Sequence, residues 1–500
     1  MMKKTLVSLL LVIALLVTLA PVGLATSGGQ QVELNMFVNH SWFPVRDWSG
    51  TVPDAITAKT GVKLNVTVAT DDKQLPLMIA SGDLPDLVFT ASNLDRLANS
   101  DICYPWDELI AKYAPDFQID KTRIAINTQA DGHFYTIRNN FATKEEWANT
   151  PSAVINSASL GLRKDILEAL GNPAINTLDD LKTVFGEVKS AYPDMVPLIL
   201  DKNWGVNYFR MQFGVSSVYT DLYVDADGKV RYYIEDPNML EVYKYINSLY
   251  RAGYLVAENF AFKDTLMDNE YVLNGSAFAH AENTNDIDDQ NGQIASNGDS
   301  YSYTQLTHTL SDAARTTYAS VGWAGVFITK NCKNPEAAIK FMQFMFSDEG
   351  QKLGFWGVEG VHYVYNNEGH YPELLYTKGD SAYVNAEGIG FWGLMSNSAA
   401  LEQVQMNTES AEVKKLATEI ADFVPELGML IPDSDSDAGI ILTKLKEMIA
   451  SEEINIFMAD SEEAAVAAYQ DMMAKAEQIG LATYDAWLNE KYQSIISLFQ

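Results

Sequence analysis

Between Val32 and Thr90 the chain switches hydrophobic period four times within 60 residues, and this rhythm constrains the fold more than any other feature. "VELNMF" from Val32 and "GVKLNVTVAT" from Gly61 alternate with period two, as half-buried strands do. "VPDAITAKTG" between them reads as a helix stopped by Gly61, and "DDKQLPLMIASG" as a second helix stopped by Gly82. "DLVFT" then returns as a third strand. Strands joined through helices run parallel, because the crossover returns each chain to the same end of the sheet. A wound lobe of this kind receives ligands beyond the carboxyl ends of its strands. Those ends carry His40 and Trp42 in "NHSWFP" and Ser92 and Asn93 in "TASN". Asp83 and Asp86, flanking Leu84-Pro85, fall at the opposite end and read as turn residues that satisfy backbone donors.

Further along, "DGHFYTI" (131–137) reads as a turn entering a short strand, and "SLGLRKDILEALGNP" as a helix stopped by Gly171 and Pro173. "TLDDLKTVFGEVKSAYPD" is a helix capped by Thr177, and "YVDADGKVRYYIEDP" a hairpin turning at Asp227-Gly228. "LEVYKYINSLYRAGYL" is an amphipathic helix, and 283–302 a polar loop. "SVGWAGVFITKN" reads as a buried strand. "NPEAAIKFMQFMFSDEG" is a helix with Asn334 as cap, Pro335 at its first position and Gly350 after its end. From Ser461 the chain reads as mostly helical.

The net charge of −31 repels phosphate backbones, so nucleic acid is excluded as a partner. Lys3 and Lys4, an apolar run from Leu6 to Ala20 and the small residues Gly23 and Ala25 form a secretory leader spanning 1–25. No cysteine lies near the cut, so no lipid anchor on a new N-terminal cysteine is expected there, and export to the cell envelope, extracellular or periplasmic, is expected. Cys103 and Cys332 either pair or remain as buried thiols; their spacing does not decide.

Most chemical motifs fail. Gly388 to Gly393, "GIGFWG", matches the dinucleotide pattern but lacks the strand before it and the helix after it. Its glycines fit an aromatic-bearing loop better. "DSDSDAG" from Asp433 begins like a calcium loop, but Ala438 and Lys444 stand where glycine and glutamate are required. It reads as a solvated loop capping a helix. The six histidines, His40, His133, His280, His308, His362 and His370, lack metal-ligand spacing, so neither metal nor cofactor is expected. Glu359, in the apolar setting "GFWGVEGVHY", is the one acid that stands out for glycosidic chemistry. Tryptophans recur at turn-like places, among them Trp42, Trp204, Trp323 and Trp392. Their faces suit sugar rings, and each one is equally suited to core packing.

In order along the chain, "ASGDLPDLVF", "GLRKDILEALGNPAINTLDDL", "EDPNMLEVYKYINSLYRAGYL" and "ITKNCKNPEAAIKFMQFMFSDEGQKLGFWGVEGVHY" resemble the family 1 extracellular solute-binding proteins of ABC importers. The resemblance is to the large sugar-binding branch that includes lipoprotein LplA and the alginate-binding proteins. It implies an α/β fold of two lobes with a hinge and a helical C-terminal region. The lobes are expected at 32–150 plus about 318–355, and at 151–317 plus about 356–500. It also implies cleft positions for Tyr135, Trp323, Glu359, His362 and Tyr363, and a polar pair, Arg163 and Asp165, that faces ligand or forms an internal salt bridge. Where alginate-type relatives carry a calcium loop after the "TLDDL" helix, this chain reads "AYPDMVPLIL", without a run of oxygen ligands.

The expectation is a monomeric, non-enzymatic binding protein that presents an oligosaccharide or related carbohydrate to the transmembrane subunits of an ABC permease. A secreted polysaccharide-degrading enzyme built on Glu359, or a carbohydrate sensor of the same fold, is the alternative. Arg46, Arg138, Arg163, Arg210 and Arg315 are the cations available for an acidic sugar, and the sequence places none of them.

Overall fold

The computed structural model describes residues 31–143, 146, 155–216, 219–262, 267–365, 372–377, 380–399 and 408–496. The expected leader (1–25), His370 and the expected lobe boundary at 150/151 lie outside the described residues.

Strands β1 (Val32–Val38), β2 (Val62–Val68) and β3 (Leu87–Thr90) form a parallel set, with Val32 opposite Val62 and Val38 opposite Phe89. A second sheet is made by β4 (Ala158–Arg163), β5 (Val196–Leu200), β6 (Ala277–Asn283) and β7 (Tyr303–Gln305), in the order β5-β6-β4-β7. Only β5 and β6 are parallel in it. The chain then returns to the first sheet as β8 (Gly325–Ile328), antiparallel to β3, giving the order β8-β3-β1-β2.

Period-two alternation accounts for the packing of the first sheet. Leu34, Met36, Val38, Leu87 and Phe89 face one core with the helices Thr51–Thr60 and Pro335–Met345. Phe37, Val88 and Phe327 face a second layer with Leu75 and Leu97. Both connecting helices end at left-handed glycines, Gly61 (φ 70°) and Gly82 (φ 74°), a conformation that costs an L side chain about 1–2 kcal/mol. The Asp86 carboxylate does accept a backbone N–H, but from Asn35 across the sheet (2.8 Å).

The second sheet carries the larger core, with the helices Leu178–Ala191 and Met239–Arg251 against it. Thr177 and Asp180 close a reciprocal capping box at the first of these. The C-terminal helices Asp437–Phe457, Glu462–Ile479 and Leu481–Ile495 belong to this lobe. Tyr243 donates to Glu453 (2.8 Å), and Arg231 reaches Asp485 (2.8 Å).

Four local expectations are corrected. Residues 159–163 are strand rather than helix, because Gly161 sits against Ile287 and Tyr303 in mid-sheet; only Lys164–Ala169 is helical. Residues 131–137 form no ladder and are held by single bonds such as Trp106 N–H to Phe134 C=O (2.7 Å). The polar stretch after Asn283 is a helix, Thr284–Ser296, capped by Asn283 and seated through Ile287 and Ile294. Gly350 lies inside a further helix, Asp348–Trp356, that Ser347 caps. Both cysteines are free and buried, and burial pushes each thiol up to about 12.

Residues 389–395, allotted to the second lobe from sequence, pack in the first core through Ile389, Trp392 and Met395. Trp392 is fully buried, with its ring centroid 4.6 Å from that of Trp48 and 5.7 Å from that of Phe43. Gly388, at φ 70°, ends the helix Ser381–Glu387, and a Cβ there would meet the Trp392 indole at 2.3 Å. The "GIGFWG" glycines thus serve a helix end and an aromatic seat. Trp392→Ala is expected to cost about 3–5 kcal/mol in denaturant unfolding, the range for emptying a large aromatic site.

Candidate ligand-binding site

The parallel pairing of β1 with β3 brings two chain ends together. Asn39 N–H donates to Phe89 C=O (2.9 Å), and its side-chain amide donates to Thr90 Oγ1 (3.1 Å) and Ser92 Oγ (3.0 Å). Asn93 donates to Ser92 Oγ (3.2 Å) and turns the chain at φ 56°. Asparagine tolerates this conformation better than most residues. His40 therefore lies against the end of β3, its ring 5.0 Å from Phe89, 5.2 Å from Trp42 and 5.2 Å from Trp323. Trp42 is 55% exposed at the edge of this cluster.

Beside this cluster lies a cavity of about 620 Å³. One wall belongs to the first lobe and includes Ala91, Asp95, Gln129, Tyr135, Arg138 and Trp323. The opposite wall is the segment Met429 to Ser434, whose neighbours Leu427 and Leu430 pack in the second core. Ser434 donates to the Asp95 carboxylate across the gap (3.0 Å). The cavity is thus bounded by both lobes.

Its lining is mixed, with Asp95, Gln129, Tyr135, Thr136, Arg138 and Asp433 among the polar side chains. Tyr135 donates to Asp131 (2.6 Å), and burial followed by that carboxylate holds its phenol up to about 12. Arg138 donates through Nε to Asn127 Oδ1 (3.3 Å) and through Nη2 to Ile126 C=O (3.3 Å). Burial lowers it to about 10, which leaves the guanidinium charged at neutral pH, and no carboxylate among the described residues pairs with it. Thr136 Oγ1 on this wall is buried without a protein partner, as are Asn39 Oδ1 and His40 Nε2 outside the cavity lining. The arrangement offers aromatic faces, unspent hydrogen-bonding atoms and one unpaired cation.

The structure brings His40, Trp42 and Trp323 together, sets Tyr135 on the same cavity, and holds Ser92 and Asn93 at the strand ends beside them. The other expected residues lie elsewhere. Arg163 is fully engaged, bidentate with Asp165 (2.8 Å twice), donating to Gly275 C=O (2.8 Å) and stacked over Tyr301. The internal salt bridge is the observed alternative. Trp204 packs beside Tyr219 against the second core. Glu359 is exposed on a turn bridged to Tyr363, whose buried ring packs on Trp356. His362 is fully buried, accepting Val358 N–H at Nδ1 (2.8 Å), with Nε2 3.7 Å from Glu387. Trp392 is core.

Sequence reasoning left Arg138 undistinguished among five arginines, but the structure separates them. Arg163, Arg210 and Arg315 pair with Asp165, Asp221 and Asp422. Arg46 donates to Ser41 C=O at the surface. Of the wall 429–434 the sequence marks only Asp433 and Ser434, as the start of a solvated loop, and nothing local marks Met429, Ile431 or Pro432.

Burial lowers His40 to about 4, against a weaker opposing pull from Asp72. The unfolded chain, with histidine near 6.5, takes the proton first. Stability from this group is complete above pH 6.5 and is lost as pH falls toward 4. At ~1.36 kcal/mol per decade the full loss is at most about 3 kcal/mol. His40→Gln is expected to flatten that part of the pH profile of urea unfolding relative to the unsubstituted protein.

Residues 52–360 match the family model for bacterial extracellular solute-binding proteins. The fructooligosaccharide ABC transporter substrate-binding protein FusA of Streptococcus pneumoniae is 29% identical over 222 residues. That match spans 40% of this chain and 40% of the relative's length. Among solved structures, alginate-binding protein AlgQ2 without calcium ion superposes with a TM-score of 0.72 at 18% identity, over 93% of this chain and 98% of that one. FusA in complex with kestose gives 0.68 at 18%, over 93% and 100%.

Proposed function

The chain belongs to the bacterial extracellular solute-binding proteins, and from that premise we propose that it is the substrate-binding component of an ABC importer for an oligosaccharide. The observation that carries the reading is the open aromatic cluster His40–Trp42–Trp323 beside a cavity bounded by both lobes. Sugar rings present C–H faces that stack on indoles and hydroxyls that need short-range donors and acceptors. Trp42 and Trp323 supply the faces. Tyr135, Thr136, Ser92, Asn93 and Arg138 supply polar contacts. His40, neutral near pH 7, acts as a ring and an acceptor, not a charge. The relatives named above bind fructooligosaccharide, alginate or kestose by their descriptions, which supports a carbohydrate of several units.

Ligand bridging the two walls favours the closed lobes, and closure is what the permease's transmembrane subunits read. The protein works as a monomer outside the cytoplasmic membrane and catalyses nothing. Among the described residues no helix is long and apolar enough to cross a membrane. Glu359, the alternative's candidate catalyst, is exposed and does not line the cavity.

Calorimetry of the mature protein against neutral and uronate-bearing oligosaccharides tests the reading. At least one is expected to bind and raise Tm; a flat response across fructans, glycans and alginate oligomers would overturn it. Trp42→Ala and Trp323→Ala are each expected to weaken binding by ~1–2 kcal/mol, roughly tenfold. Glu359→Gln should leave affinity unchanged, with no product released from polysaccharide by either form. Arg138→Gln is expected to lower affinity for uronate-bearing ligands by ~1.5–3 kcal/mol, and for neutral ones by less, measured in the same titrations.

A further inference from the structure

The second lobe holds a buried group of side chains that the cleft does not use. His280 and Glu282 are two residues apart on β6, the interior strand next to β5, so they share one face of the sheet. The helix Met267–Leu273 lays Asp268 over that face. One ligating atom from each of Asp268, His280 and Glu282 lies within 4.8 Å of the others. All three are at most 2% exposed.

Asp201, 1% exposed, follows β5 at the same end of the sheet and interacts electrostatically with Asp268, His280 and Glu282. Its Oδ1 accepts the backbone N–H groups of Asn203 and Trp204 (2.7 Å each), while its Oδ2 is buried with no partner. Asp268 Oδ1 is buried and unpartnered too. No lysine or arginine among the described residues hydrogen-bonds to Asp201, Asp268 or Glu282. Two orphaned carboxylate oxygens in one interior cluster are a heavy cost unless something positive meets them.

The imidazole is already oriented. Gln290 donates its amide N–H to Asn269 (2.7 Å), which turns its carbonyl oxygen toward His280 Nδ1 (3.2 Å). Nδ1 therefore carries the proton, and Nε2 points at Asp268 Oδ2 (2.7 Å). Holding the far nitrogen by a carbonyl is how proteins fix a metal-binding histidine. Glu282 Oε1 is held in the same way by the Asn283 backbone and side-chain N–H groups (2.7 and 3.1 Å).

We propose that Asp268, His280 and Glu282, with Asp201 beside them, form a site for a divalent transition-metal cation, with zinc the best fit to one imidazole and several carboxylates. Calcium prefers six to eight oxygens and has little use for the nitrogen. On binding, the cation replaces the proton shared between His280 Nε2 and Asp268 Oδ2, and that proton leaves to solvent. The site ties the end of β5, the middle of β6 and the helix Met267–Leu273 into one rigid body. Asp201 directly follows "AYPDMVPLIL", whereas Asp268, His280 and Glu282 stand on the helix Met267–Leu273 and on β6.

The mature chain is unfolded, refolded in chelator, divided, and half is refolded with zinc chloride. After gel filtration, elemental analysis is expected to find one zinc per chain, with Tm about 5 °C above the chelated half. The isosteric variants Asp268→Asn and Glu282→Gln should each retain less than a tenth of that zinc and lose the Tm difference. Cobalt in place of zinc should give visible d–d bands and a shifted exchangeable imidazole N–H resonance from His280. No retained zinc in the unsubstituted protein would overturn the site and mean that the carboxyls are simply protonated. Equal retention in both variants would overturn it by placing the metal on surface acids. The cobalt spectrum reads the unsubstituted protein, so the test stands even if the variants fold poorly, and absence of the imidazole signal sinks the assignment.

Discussion

The parallel hydrogen bonding of β1 to β3 is the interaction on which the cleft depends. It aligns Val38 with Phe89, so the residues that follow, Asn39 and His40 on one side and Ala91 to Asn93 on the other, emerge side by side. The Asn39 amide then ties the two ends through Thr90 and Ser92. Every aromatic contact of the candidate site is built on this junction. β8 closes the arrangement from more than two hundred residues away. Its antiparallel pairing with β3 sets Trp323, two residues before the strand, against His40.

The cleft shares the acidity of the whole molecule through Asp95 and Asp433, but it adds one cation, Arg138. The chain is strongly acidic, yet burial holds His40 neutral, and the cavity contains an arginine with only neutral acceptors around it. An unpaired guanidinium is costly inside a protein unless a ligand or solvent meets it. The bulk charge thus speaks to solubility, while the site's chemistry rests on a few side chains whose surroundings differ from the average.

The two lobes handle buried polarity differently. In the first, Thr136 Oγ1 is orphaned on the wall of an open cavity, where ligand can satisfy it, while Trp106 Nε1 and Trp392 Nε1 are orphaned in the core. In the second, Arg163 and Arg210 are spent on internal pairs, and the acids around His280 are enclosed.

The sequence by itself determined the strand–helix rhythm of the first lobe, the glycine stops at Gly61 and Gly82, the capping box at Thr177 and the helical C-terminus. Each of these is set by residues within a turn or two of one another. It also placed His40, Trp42, Ser92 and Asn93 beyond the carboxyl ends of the strands, because the strand–helix order sets the direction of each strand. Only the tertiary structure decided which tryptophans are exposed and which are core. Trp42 and Trp392 look alike in sequence, but one lies on an open rim and the other beneath Trp48 and Phe43. Tertiary contacts likewise chose Arg138 among five arginines and turned the polar stretch after Asn283 into a helix. They also gathered Asp201, Asp268, His280 and Glu282 from three separate elements. Burial and partnership are made by contacts far apart along the chain, and no local pattern encodes them.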